Sequence, residues 1–114
     1  MQVINAFSVP QQQIEDGGNN AAIRWVLTDN EGAHKFYMRI IELDHNGSTP
    51  HHSHPWEHEF FVLEGEGKLV GDDGFSLPLG PSDAGIVLSG EMHHFESAPG
   101  NSLKFICLIP SRKC

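Results

Sequence analysis

The chain has 114 residues, the length of one domain. Seven basic against fifteen acidic residues give a formal charge of −8, which excludes the basic surface that nucleic-acid binding requires and opposes docking on anionic membranes. Hydrophobic residues at 39% suffice for a core, while twelve glycines and seven prolines disfavour long helices.

Residues 1–21 read as a polar arm ending in Gly17-Gly18-Asn19-Asn20, and the domain proper is expected over 22–114. Strand signals begin with the β-branched and aromatic stretch at 23–28 and continue in KFYMRIIEL at 35–43. Asp44, His45, Asn46 and Gly47 then spell a turn, because Asn and Gly accept positive φ. Beyond a histidine-rich segment, strands are expected at 59–64, 68–71, 75–79, 84–89, 92–97 and 102–109, with Asp72-Asp73-Gly74 a strong hairpin signal. Short strands separated by turns at this frequency predict an all-β barrel or double-sheet roll.

In the last strand, Lys104 facing solvent puts Phe105, Cys107 and Ile109 inward and Ile106 and Leu108 outward. An apolar outward pair calls for a cover. A second copy in a closed homodimer or the N-terminal arm would serve. No apolar run reaches the ~20 residues of a transmembrane helix, and residues 1–10 lack the pattern of a signal peptide. Two cysteines, Cys107 and Cys114, make no disulfide framework, so a reducing, cytoplasmic setting is expected.

Histidine is the residue in excess. There are eight, more than Lys and Arg together, and five fall between 45 and 58. His52 and His54, two apart on extended chain, share a face with Cβ atoms roughly 6–7 Å apart, close enough to converge on one ion. His58, beyond the bend at Pro55 and Trp56, can supply a third ligand, with Glu59 its rival; His93 can supply a fourth, with His94 its rival. His34 and His45 read as solvated, His51 and His94 as pointing away from the cluster, Glu57, Glu64 and Glu66 as an acidic rim, Trp56 as packing at the bend, and Cys114 as an exposed thiol without a role.

The segment NGSTPHHSHPWEHEFFVLEGEG at 46–67 resembles the first sequence motif of the cupin superfamily: Asn46 stands at an initial glycine position, followed at matching spacings by His52, His54, His58 and Gly65. His58 occupies the position where that motif usually has glutamate. A second motif is weaker, with Gly90 and His93 matching and Ser82, Leu88 and Ser97 departing from the pattern. The resemblance extends over about 25–110, to small single-domain bacterial cupins. It implies a double-stranded β-helix, or jelly-roll barrel, holding one divalent metal through four histidines, His52, His54, His58 and His93.

Imidazoles suit Zn, Cu, Fe and Ni; the resemblance adds Mn, and Mn or Fe is the expectation. Ligands must be neutral to bind, so metal loss is expected below about pH 6.5. Phe105 and Cys107 are expected to line the substrate pocket. By resemblance the function is that of a metal-dependent, dioxygenase-like oxidoreductase acting on a small organic molecule, with a non-catalytic ligand- or metal-binding module as the alternative.

Overall fold

The computed structural model describes residues 1–111, so the expectation for Cys114 lies outside the described residues. The described residues form nine strands: β1 (Gln12–Gln13), β2 (Asn19–Leu27), β3 (Phe36–Ser48), β4 (His58–Gly65), β5 (Gly67–Val70), β6 (Ser76–Leu79), β7 (Ala84–Val87), β8 (His94–Ser97) and β9 (Leu103–Pro110). They make one curled antiparallel sheet in the order β6-β5-β8-β3-β9-β4-β7, with β2 and then β1 added beside β3. This is the jelly-roll architecture that the short strands and frequent turns predict.

The alternation expected for β9 is present. Leu103, Phe105, Cys107 and Ile109 are buried, whereas Lys104, Ile106 and Leu108 are half-buried. β9 runs between β3 and β4, pairing Arg39 with Cys107 on one side and Cys107 with Phe60 on the other. Beneath it, Phe60, Phe95 and Phe105 form an aromatic floor, the rings of Phe95 and Phe105 4.3 Å apart and those of Phe60 and Phe95 5.1 Å apart, edge to face. Gly85 permits this floor, because a Cβ there would lie 2.4 Å from the Phe60 ring. At the end of β4, Gly65 has φ +92° and a Cβ would stand 2.0 Å from the Ser102 carbonyl oxygen, so only glycine closes that strand.

One expectation is corrected. Asp44 to Gly47 do not end β3; the strand runs on to Ser48. The Asn residues do take left-handed φ, Asn20 at 48° and Asn46 at 56°, but they accommodate a bulge between β2 and β3, where Asn19 pairs with Ser48 and Ala21 with Leu43. The side-chain amides of Asn19 and Asn20 donate to the carbonyls of Asn46 and His45 and seal it.

The arm is anchored on the outer face. Asn5 caps a short 3₁₀ turn at Ala6–Ser8, and the Phe7 ring lies beneath the cations of Arg24 and Lys104, at 5.4 and 4.7 Å. Phe61 and Ile86, on strands beside Ile106 and Leu108, remain exposed. No helix among the described residues is long and apolar enough to cross a membrane.

Candidate metal centre

A single antiparallel bridge pairs His52 with His93, closed by two backbone hydrogen bonds of 3.0 and 2.9 Å. Both rings fall on its inner side, centroids 5.1 Å apart. His54 follows with its ring 5.3 Å from His52 and 5.1 Å from His93. His58 opens β4, its ring 5.1 Å from His54 and 5.0 Å from His93. Ligand nitrogens of His52, His54 and His93 lie within 4.8 Å of one another; His58 joins the group through His93, Nε2 to Nε2 at 3.1 Å. Exposure falls across the set, from His52 at the surface through half-buried His54 to His58 and His93, 4% and 5% exposed.

The outer side of each ring is occupied. His54 Nδ1 donates to the Trp56 carbonyl at 2.9 Å and His93 Nδ1 to the Glu91 carbonyl at 2.8 Å. His58 Nδ1 lies 3.1 Å from Cys107 Sγ, and His52 has a backbone hydrogen bond with Pro50. A carbonyl only accepts, so His54 and His93 carry their proton on Nδ1 and turn the Nε2 lone pair inward. Two ligands about 2.1 Å from one ion and at right angles are about 3.0 Å apart. The Nε2 atoms of His58 and His93 have that separation, and the donor set is imidazole alone, so these residues fit a divalent transition ion. Trp56, expected as packing, stacks on His54 at 4.7 Å with an interplanar angle of 6°.

Burial keeps His52, His58 and His93 neutral. It pushes His58 down to about 3, aided by His93 and Arg39, and it lowers His52 and His93 as well. Proton competition at these three positions therefore sets in below the ordinary imidazole range.

The same shift fixes the acid stability of the metal-free protein. Above about pH 6.5 His58 is neutral folded and unfolded and contributes nothing; below it the unfolded chain takes up a proton that the folded chain refuses. Stability is then lost as pH falls from about 6.5 towards about 3, by at most about 1.4 kcal/mol per pH unit from His58. Urea midpoints should be level from pH 8 to 7 and decline steadily between pH 6.5 and 5; a level profile to pH 5 would contradict the assignment.

The remaining expected residues sort as follows. Phe105 and Cys107 line a cavity of about 330 Å³ that includes all four imidazoles, Trp25, Trp56 and Phe95. Glu57, Glu59, Glu64 and Glu66 are exposed, as are His34 and His45. His51 and His94 sit on the outer face of the His52–His93 bridge, their Nδ1 atoms 2.6 Å apart, with Asp72 and Glu96 carboxylates on the far nitrogens at 3.0 and 2.7 Å.

Sequence reasoning missed Arg39. It lines the cavity from β3, and its Nη2 donates to Cys107 Sγ at 2.8 Å. The signal was its parity: positions 37, 41 and 43 of the same strand are apolar and buried, so position 39 also faces inward.

The cupin domain family model matches residues 39–109. No curated protein matches the chain. Among solved structures it is similar to the polyketide cyclase RemF from Streptomyces resistomycificus, with 34% identity over 96% of this chain and 79% of that one and a TM-score of 0.90. It is similar in fold to a predicted oxalate decarboxylase from Thermotoga maritima, with 23% identity over 96% and 99% of the two chains and a TM-score of 0.83. The same holds for KdgF from a Halomonas species, at 18% identity over 99% and 96% and a TM-score of 0.76.

Proposed function

From the premise that the chain belongs to the cupin domain family, we propose that it is a metal-dependent enzyme in which His52, His54, His58 and His93 hold one divalent transition ion beside a cavity for a small organic molecule. Mn or Fe stands first, ahead of Zn, Ni and Cu. The observation that carries the reading is the pair of Nε2 atoms of His58 and His93, 3.1 Å apart with their Nδ1 sides occupied. His93 turns its Nε2 lone pair towards His58 at the separation of two neighbouring ligands of one ion, which supports a cation bound there.

A divalent ion held by four neutral imidazoles keeps its full charge and supplies Lewis acidity towards an oxygen of the substrate. The chain's own part is to keep His52, His58 and His93 neutral by burial, to hold the orientation of His54 and His93 through the Trp56 and Glu91 carbonyls, and to exclude water with the Phe60, Phe95 and Phe105 floor. The 34% identity to a polyketide cyclase favours an enolisable, oxygen-rich substrate that closes a ring. A dioxygenase-like oxidoreductase is the second reading. It is favoured by the composition of the cavity wall, where no carboxylate, lysine or tyrosine among the described residues stands ready to move a proton.

The test is to load metal-free protein with Mn or Fe and supply poly-β-ketone and enol substrates with and without dioxygen. Ring-closed product formed anaerobically supports the first reading, and oxygen uptake with product supports the second. Tight binding without turnover would make the chain a ligand-binding module. Neither turnover above free metal nor binding would overturn all three.

We also propose that the exposed face around Phe61 and Ile86 makes a homodimer; light scattering should give twice the chain mass, and Phe61→Glu should halve it. The buried, free Cys107 thiol suits a reducing, cytoplasmic setting.

A further inference from the structure

Arg39 is a cation without a counter-ion among the described residues. It follows the β3 register inward, between Trp25 on β2 and Cys107 on β9. Its guanidinium carbon lies 5.5 Å from the Trp25 ring centroid, and Nη2 donates to Cys107 Sγ at 2.8 Å. The Nε atom is buried and has no hydrogen-bond partner. Three other cations among the described residues are matched: Arg24 to Glu42, Lys68 to Glu96, and Lys104 to Glu42 and Glu64. No carboxylate among the described residues pairs with Arg39, although acidic residues outnumber basic ones two to one.

A guanidinium in an apolar wall with an unpaired N–H carries a desolvation penalty that a neutral side chain would avoid. Sulfur is a weak acceptor and relieves little of it. The group that satisfies a planar guanidinium fork is an anionic oxygen group, bound through two parallel N–H donors.

Position narrows the ligand further. Cys107 Sγ also lies 3.1 Å from His58 Nδ1, so one sulfur atom separates the guanidinium from the histidine cluster. Between them the wall is Trp25, Trp56, Phe95, Phe105 and aliphatic side chains, around about 330 Å³, the lower end of small-ligand pockets. We propose that Arg39 anchors the anionic oxygen, carboxylate or enolate, of a small planar conjugated acid whose other oxygens face the four imidazoles. This rests on the metal-dependent reading above and names its substrate class.

The experiment is calorimetric titration of benzoate, salicylate and 1-hydroxy-2-naphthoate, each beside its neutral amide, into metal-loaded and metal-free protein. Wild type, Arg39→Lys and Arg39→Gln are compared after circular dichroism and urea midpoints confirm folding. At least one acid should bind wild type roughly tenfold or more tighter than its amide, the scale of a charge-assisted hydrogen bond. Arg39→Gln should remove that preference while leaving amide binding in place, and Arg39→Lys, which keeps the charge without the fork, should restore part of it. Absence of an acid–amide difference for all three pairs in wild type overturns the proposal, as does a difference that survives in Arg39→Gln.

The two readings fail separately. Stoichiometric metal with no effect of Arg39→Gln sinks the anchor alone, whereas an Arg39-dependent acid preference in a protein that holds no metal sinks the metal centre alone.

Discussion

His93→Ala, loaded and dialysed beside the wild type, is expected to lose its metal, with affinity lower by about 100-fold or more. Loss of a group that merely orients a ligand costs about 10–100-fold, and His93 is a candidate ligand itself. It also occupies the centre of the set, its ring about 5 Å from each of His52, His54 and His58. His58→Ala should act in the same direction, because its Nε2 lies 3.1 Å from that of His93. The controls are chosen by face. His94→Ala, one position along, removes a ring directed at Glu96 and His51 and should leave the ion in place, as should Glu59→Ala, whose side chain is exposed. Elemental analysis of the four variants decides the matter: metal retained in His93→Ala, or lost equally in His94→Ala, would remove the assignment.

The second large effect is structural. Phe105→Ala should cost about 3–5 kcal/mol, the range for emptying a buried aromatic position. Phe105 is 1% exposed, its ring lies 4.3 Å from Phe95 and 6.2 Å from Phe60, and its strand neighbours are Ile41 and Val62. A domain of this size has about 5–15 kcal/mol in total, so the variant sits near the threshold of folding. Phe105→Leu, which refills much of the volume, should lose clearly less. Urea unfolding at pH 7.5 measures both, and a loss under 1 kcal/mol for the alanine variant would show that the floor can collapse around the gap. Because the floor also lies 6.4 Å from the His58 and His93 rings, the alanine variant should bind metal more weakly as well.

What could be read from the chain was whatever a local period controls. β9 alternates along its length, so Phe105, Cys107 and Ile109 could be assigned to the interior from parity alone, and Asp72-Asp73-Gly74 marked the β5–β6 hairpin. His52 and His54 could be paired because a two-residue spacing has few outcomes on extended chain. What could not be read depends on partners distant in sequence. Asp44 to Gly47 carry every mark of a turn, and only β2 lying alongside converts them into a bulge. Gln12 and Gln13 have no strand signature and pair only because Ile23 and Ala22 offer a free edge. The convergence of His93 on His52 needs the bridge between two loops. Arg39 looked like an ordinary charge in a mixed strand, and its isolation emerges only when Trp25 and Cys107 close on it from both sides.

The decline in exposure from His52 to His58 gives the centre a direction. The deep rings are gripped by a carbonyl and a thiol inside the barrel, while the outermost one stands at the water boundary, held by its backbone bridge to His93 and its hydrogen bond with Pro50. In the proposed metal centre, loading, removal by a competing chelator and arrival of a reactant would all pass the exposed end of the set, at position 52. A substitution at position 52 would then change access to the proposed centre while leaving the contacts of His58 and His93 beneath it in place.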